Sequence, residues 1–187
     1  VNIITINTDA SFSQYHNRGS YAFWIASDEG KFLKSGMLNN KVVDATMSEM
    51  MCIYNAFYFI KKFGIHRGCN KIIVNTDSMN SIHFFKNDVK AIKRYGLYSK
   101  QHKEISNKLL SYIKDNFSKI DIDFRHVKAH EHTNSARNLV NDWCDKECKK
   151  HMGEFLDKIK IKNIKNAKNG QKKGIVSDDK FKKESAV

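Results

Sequence analysis

Two stretches of the chain end alike: IITINTDAS over residues 3–11 and IIVNTDS over 72–78 each run apolar and β-branched into Asn-Thr-Asp and a small residue. If both are strands and lie parallel side by side, Asp9 and Asp77 leave the sheet at comparable heights, at the strand ends where α/β sheets hold ligands. Two close carboxylates repel, which raises one pKa unless a proton or cation sits between them, and a hard divalent ion suits that place best. A third acid strengthens the case. Glu49 is the single acid between Asp44 and Gly64 and stands among Met47, Met50 and Met51, where an unpartnered carboxylate is expensive. A fourth candidate is Asp142, the acid nearest the apolar stripe of Leu139, Val140 and Trp143; Asp145 and Glu147 follow and are expected to face solvent or pair with Lys146, Lys149 and Lys150. The plainer alternative for either strand-end aspartate is capping of the turn or helix that follows it.

The elements that must position these acids are legible from periodicity. Residues 2–12 carry Ile3, Ile4, Ile6 and Phe12, then a polar turn precedes SYAFWIAS, and DEG turns the chain into KFLKSGML, which together read as an antiparallel meander. From Ala45 to Phe63 apolar residues recur at helical spacing around more than half the circumference, predicting a largely buried helix that stops at Gly64. KIIVNT is a short buried strand, and a strand, a long helix and a strand in succession imply a parallel crossover. Helices are expected from Asp77 to about Phe85, over 102–117 and over 135–150, with IDIDFRHV as a further strand. The order is βββαβααβα.

A chain of 187 residues suffices for one core of ordinary size, with 41% hydrophobic residues as in globular proteins. The expected division is a catalytic domain over 1–150 and a basic extension over 151–187, partly helical or disordered. A formal net charge of +13 favours a polyanionic partner. No run approaches the length of a membrane span, and the N-terminus lacks the features of a secretory signal, so the chain reads as soluble and cytoplasmic, with no membrane partner. High Lys, Ile and Asn usage without proline suggests a low-GC bacterial or viral genome. Four scattered cysteines make no disulfide framework. Cys144, Cys148 and His151 fall at i, i+4, i+7, but lack a second ligand pair of standard zinc spacing, so helix packing is the preferred reading.

Taken in order, Asp9-Ala10-Ser11 at a strand end, Glu49 within a helix, Thr76-Asp77-Ser78 after an apolar strand, Val127-Lys128-Ala129-His130 and the run from Asn138 to Asp142 resemble the type 1 ribonuclease H family over residues 2 to about 150. The resemblance implies a ribonuclease H-like α/β fold, a mixed five-stranded sheet flanked by helices. It implies an enzyme that cuts the RNA strand of RNA·DNA hybrids, leaving 5′-phosphate and 3′-hydroxyl ends. Asp9, Glu49, Asp77 and Asp142 would be the metal-binding carboxylates for two Mg²⁺ ions, or Mn²⁺, and His130 the loop histidine that assists proton transfer or product departure. Two such ions could activate water, neutralise the phosphate and support the leaving oxygen.

The stretch KNDVKAIKRYGLYSKQHK, interleaving cations with Tyr95 and Tyr98, is similar in position to the basic handle of some family members. The nucleic-acid contacts expected with it are Lys86, Lys90, Lys93, Arg94 and Lys128, together with Ser11, Asn80 and Asn138; phosphate contacts of this kind give affinity without sequence preference. The chain departs from the family pattern at Ala10, where glycine is usual, and at Val43-Asp44-Ala45-Thr46, which replaces an Asn-rich approach to the long helix. Those departures fall where 2′-hydroxyls are sensed. Alternatives are a nuclease of the same fold acting on branched or duplex DNA, and a non-catalytic hybrid-binding module. A monomer is expected, with the basic tail contacting nucleic acid or a replication partner.

Overall fold

A computed structural model describes residues 2–94, 100–127 and 136–175, with side chains in the last segment described over 139–166. Two compact units divide between Met152 and Gly153. The first contains the sheet. Strands β1 (Ile3–Ser13), β2 (Arg18–Ser27) and β3 (Gly30–Met37) form the meander; helix α1 (Ala45–Phe63) leads to β4 (Lys71–Thr76), the helices α2 (Met79–Phe85), α3 (Val89–Arg94) and α4 (Lys100–Phe117), and strand β5 (Asp121–His126). Helix α5 spans Ala136–Ile175, running past the expected end near residue 150. In the second unit it continues as a lysine-rich helix whose side chains over 161–166 are exposed.

The sheet order is β3-β2-β1-β4-β5. β1 pairs antiparallel with β2 and parallel with β4, and β4 pairs parallel with β5. This is the expected mixed five-stranded sheet of a ribonuclease H-like fold. Alternation in β1 sends Ile4 and Ile6 to one face, where they meet Phe23, Ile25, Ile72 and Val74 from neighbouring strands and Met50, Ile53, Phe57 and Ile60 from α1. On the other face a smaller cluster joins Ala22 and Trp24 to Trp143, Cys144 and Cys148 of α5.

Helix α1 is fixed at both ends. The Asp44 carboxylate accepts the Met47 N–H at 2.8 Å, and Gly64 closes the helix in the left-handed region at φ 73°. The other oxygen of Asp44 lies 2.8 Å from Nε2 of the buried His102 of α4. Close approach to β2 depends on Gly19, where a Cβ would come within 2.6 Å of Ser48 Oγ and 2.8 Å of Leu38 Cδ1. The glycine therefore sets how near the first turn of α1, and Glu49 with it, can come to the sheet.

Candidate metal centre

The twin Asn-Thr-Asp sequences are explained by the pairing of β1 with β4. Asn7 stands opposite Asn75 in the parallel register, and the Asn75 side-chain amide donates to Asn7 Oδ1 at 3.0 Å in a buried contact. Locking the two strands at this level brings the residues two positions on, Asp9 and Asp77, out side by side. Thr76 Oγ1 then accepts the Ser78 N–H at 3.2 Å, and Ser78 caps α2, turning the chain away immediately after Asp77. His126, which the strand pattern assigns to the fold, contacts the Asp77 carbonyl oxygen through Nε2 at 3.1 Å.

Oxygen atoms of Asp9, Glu49 and Asp77 lie within 4.8 Å of one another. The Ala10 N–H is shared by two acceptors, Asp9 Oδ1 at 2.8 Å and Glu49 Oε1 at 3.0 Å. Glu49 is 8% exposed, and its second oxygen is buried without a hydrogen-bond partner. Burial, then the charges of Asp77 and Asp145, push the Asp9 carboxyl from its ordinary 3.8 up to about 7, against the pull of the Ala10 N–H and Lys149. Burial, then the charges of Asp9 and Asp77, push Glu49 well above the usual carboxylate range. A buried carboxylate with an unused lone pair facing two more carboxylates needs a proton or a cation. The all-oxygen donor set fits a hard divalent ion.

Among the described residues of α5, the acid that lies near Asp9 is Asp145. Asp145, with Cys148, has a ligand atom within 4.8 Å of Asp9, whereas Asp142 is exposed and belongs to neither group of potential ligands among the described residues. The reason is the way α5 seats on β1 and β2. The Cys144 thiol donates to the Asn7 carbonyl at 3.7 Å, Ser20 Oγ donates to the Cys148 carbonyl at 2.6 Å, and Trp143 meets Trp24 edge to face. These contacts set a register in which Asp145, half-buried, reaches the strand ends. Asp142 is about 4.5 Å earlier along the axis. Asp145 is also paired as expected, with Lys149 Nζ at 2.7 Å, and that hydrogen bond raises the lysine pKa. The clue available in the sequence was the Cys144 to Cys148 spacing, which marks the small-residue stripe against the sheet; Asp145 adjoins it.

Cys144 and Cys148 are buried in the packing cluster, and burial, then the charges of Asp9 and Glu49, raise both thiol pKa values. His151 makes no metal group with them among the described residues and instead contacts Ser35 Oγ through Nε2 at 3.0 Å.

The remaining expected residues are spread along the chain after the strand ends. Ser11 is half-buried on β1. The Asn80 side chain donates to Thr46 Oγ1 at 3.4 Å, tying α2 to the first turn of α1. Lys86, at the C-cap of α2, and Lys90, Lys93 and Arg94 on α3 are exposed. Lys128 and His130 lie outside the described residues, as does the side chain of Asn138 in α5.

The sequence matches the RNase H family over residues 2–153. The chain belongs to the RNase H family. It is accordingly a ribonuclease H, a nucleic-acid-binding hydrolase. No curated protein sequence matches it significantly. Among solved structures it is similar to LC11-RNase H1 isolated from compost by a metagenomic approach, at 15% identity and a TM-score of 0.55 over 81% of this chain and 99% of that one. The same compost protein in complex with an RNA/DNA hybrid matches at 14% identity and a TM-score of 0.57, over 82% and 99% of the two chains. The prototype foamy virus RNase H domain matches at 20% identity and a TM-score of 0.54, over 80% and 93%. At these identities the likeness speaks for the fold alone.

Proposed function

We propose that this ribonuclease H hydrolyses the RNA strand of RNA·DNA hybrids to 5′-phosphate and 3′-hydroxyl ends, using two divalent ions, Mg²⁺ or Mn²⁺, held by Asp9, Glu49, Asp77 and one carboxylate of α5. The observation that carries this reading is the buried, unpartnered Glu49 oxygen within the Asp9 and Asp77 cluster. When bound, such ions supply an activated water, charge neutralisation at phosphate and support for the leaving oxygen. The chain's own part is to hold the acceptors rigidly. The Ala10 N–H fixes Asp9 and Glu49 relative to each other, and the Asn7 to Asn75 contact fixes Asp77 relative to Asp9.

Asp145 is the α5 carboxylate favoured by the geometry, and Asp142 is the one favoured by the family motif. In either case Lys149 gives up its pairing with Asp145 or remains as a counter-charge at the rim. His130 serves proton transfer or product departure. Ser11, Asn80 and Asn138 contact the sugar-phosphate backbone, and Lys86, Lys90, Lys93, Arg94 and Lys128 contact phosphates, giving affinity that falls steeply with salt. The protein acts as a monomer, and its basic tail adds an electrostatic contact with nucleic acid or a replication partner.

The test is cleavage of end-labelled RNA·DNA hybrid, double-stranded DNA, double-stranded RNA and single strands in Mg²⁺, Mn²⁺ or EDTA. Cutting confined to the RNA strand of the hybrid, with metal present, is the expected result. Cutting of DNA would transfer the assignment to a DNA nuclease of this fold, and binding without cutting would contradict catalysis.

A further inference from the structure

The face of α1 turned away from the sheet has no role in the metal centre, and its composition is unusual for a solvent-facing surface. Tyr58 is 49% and Phe63 58% exposed, on a helix whose opposite face is buried. Tyr58 and Phe63 are nine and fourteen residues after Glu49, which places them ~13.5 and ~21 Å further along the helix. Whatever binds there does not share the carboxylates.

These rings border an open groove of about 420 Å³ that reaches from β2 and β3 across α1 to α4. Among the described residues its charged lining consists of Lys34, Lys62 and Lys108, with no carboxylate. Two of these lysines lie at ring faces: Lys62 Nζ is 5.7 Å from the centroid of Phe63, and Lys108 Nζ 5.1 Å from that of Tyr54. Tyr54 and Tyr58 are both braced by Tyr112 of α4, at 5.3 and 6.4 Å between centroids. Phe63 packs against Phe59 at 4.5 Å between centroids, and Tyr58 and Phe63 keep surface open to solvent.

Aromatic faces interleaved with cations, free of acids, match the chemistry of a single nucleic-acid strand: rings take bases by stacking and ammonium groups take phosphates. Tyr58 and Phe63 are separated by about 7.5 Å along the helix axis and about 140° around it, and they meet only as lining of the same groove. The axial separation exceeds the ~3.4 Å between stacked bases, so the surface suits splayed bases of a single strand and not the edge of a continuous duplex. The lysines disfavour a basic peptide by like-charge repulsion. We propose that the groove along the outward side of α1, bordered by Tyr58 and Phe63 and lined by Lys34, Lys62 and Lys108, is a second nucleic-acid site that binds single strands, separate from the site of cleavage.

The test measures binding of a short fluorescein-labelled oligothymidylate to the full chain by anisotropy, in EDTA, across a salt series. The double variant Tyr58→Ala, Phe63→Ala is expected to weaken binding by about 10-fold or more, while Tyr58→Phe keeps it. Lys62→Gln with Lys108→Gln should reduce the salt slope of the affinity by about 1.4, the share of two phosphate contacts on a single strand. Asp9→Asn should leave oligothymidylate binding unchanged, and the aromatic variant should leave the cleavage of a blunt hybrid unchanged. Unaltered affinity in the aromatic variant would overturn the proposal, as would an equal loss of hybrid cleavage, which would merge this face with the catalytic surface. Because binding is read without metal, the result stands whether or not the chain cuts hybrids.

Discussion

Two helices bring carboxylates to the same strand ends, and they are held in opposite ways. Helix α1 is capped by Asp44 and Gly64, buries a continuous face in the main core, and delivers Glu49 into a site from which solvent is nearly excluded. Helix α5 rests on a small cluster of two cysteines, an alanine and a pair of tryptophans, and delivers Asp145 half-buried and already paired with Lys149. The acid on α1 is positioned by a large apolar surface that tolerates few alternatives. The acid on α5 is positioned by the few contacts that set its register, Cys144 to Asn7, Ser20 to Cys148 and Trp143 to Trp24, and by its pairing with Lys149; a shift of one turn would exchange Asp145 for Asp142. The larger apolar packing is therefore on the β1, β4 and α1 side, and the smaller on α5.

The largest effects should come from the β1, β4 and α1 side. Asp9→Asn, Glu49→Gln or Asp77→Asn should each lower hybrid cleavage by about 10³-fold, with hybrid affinity in EDTA within a few fold of wild type; gel-shift and cleavage assays on the same preparations check both. On the α5 side the contrast is between neighbours. Asp145→Asn should cost about 10- to 100-fold in activity or metal affinity, and Asp142→Asn far less. The reverse ranking in side-by-side metal titrations would mean that α5 shifts by a turn when metal binds.

Packing should separate the two helices as well. Gly19→Ala forces Ser48 and Leu38 back from a contact of 2.6 to 2.8 Å, and should destabilise by about 1–3 kcal/mol while disturbing Glu49 more than Asp145. Urea unfolding and the metal dependence of cleavage measure the two parts of that effect.

The pH dependence has a definite sign. Asp9 has a folded pKa of about 7 against an ordinary 3.8, so between these values the folded metal-free state holds more protons than the unfolded state. Its contribution to stability is fully present at low pH and is lost as pH rises toward about 7; Glu49 acts in the same direction. The melting temperature of the metal-free protein should fall across that window, more steeply than in Asp9→Asn, and Mg²⁺ should reduce the fall because it takes the proton's place.

The sequence made the β1, β4 and α1 half legible for physical reasons. The paired Asn-Thr-Asp motifs encode a parallel register, since Asn7 and Asn75 bond directly, and Glu49 stood out because an acid among methionines has no other good explanation. The choice between Asp142 and Asp145 was not legible from the nearest apolar residues. Leu139, counted in the apolar stripe, is 63% exposed, while the contacts that set the register come from Cys144, Cys148 and Trp143, two of them small residues whose fit against Ala22 depends on tertiary contact. The outward face of α1 escaped for a related reason. Its aromatic residues extend the apolar circumference, and periodicity does not distinguish a ring in the core from Tyr58 or Phe63 in solvent.

The central claim is that the strand-end carboxylates form a metal site, and calorimetric titration of the nucleic-acid-free protein with Mn²⁺ tests it most directly. Done in two buffers of different ionisation heat, it should show binding accompanied by proton release near pH 7, with both lost in Asp9→Asn and in Glu49→Gln. Binding of the same affinity and proton count in those variants would contradict the account.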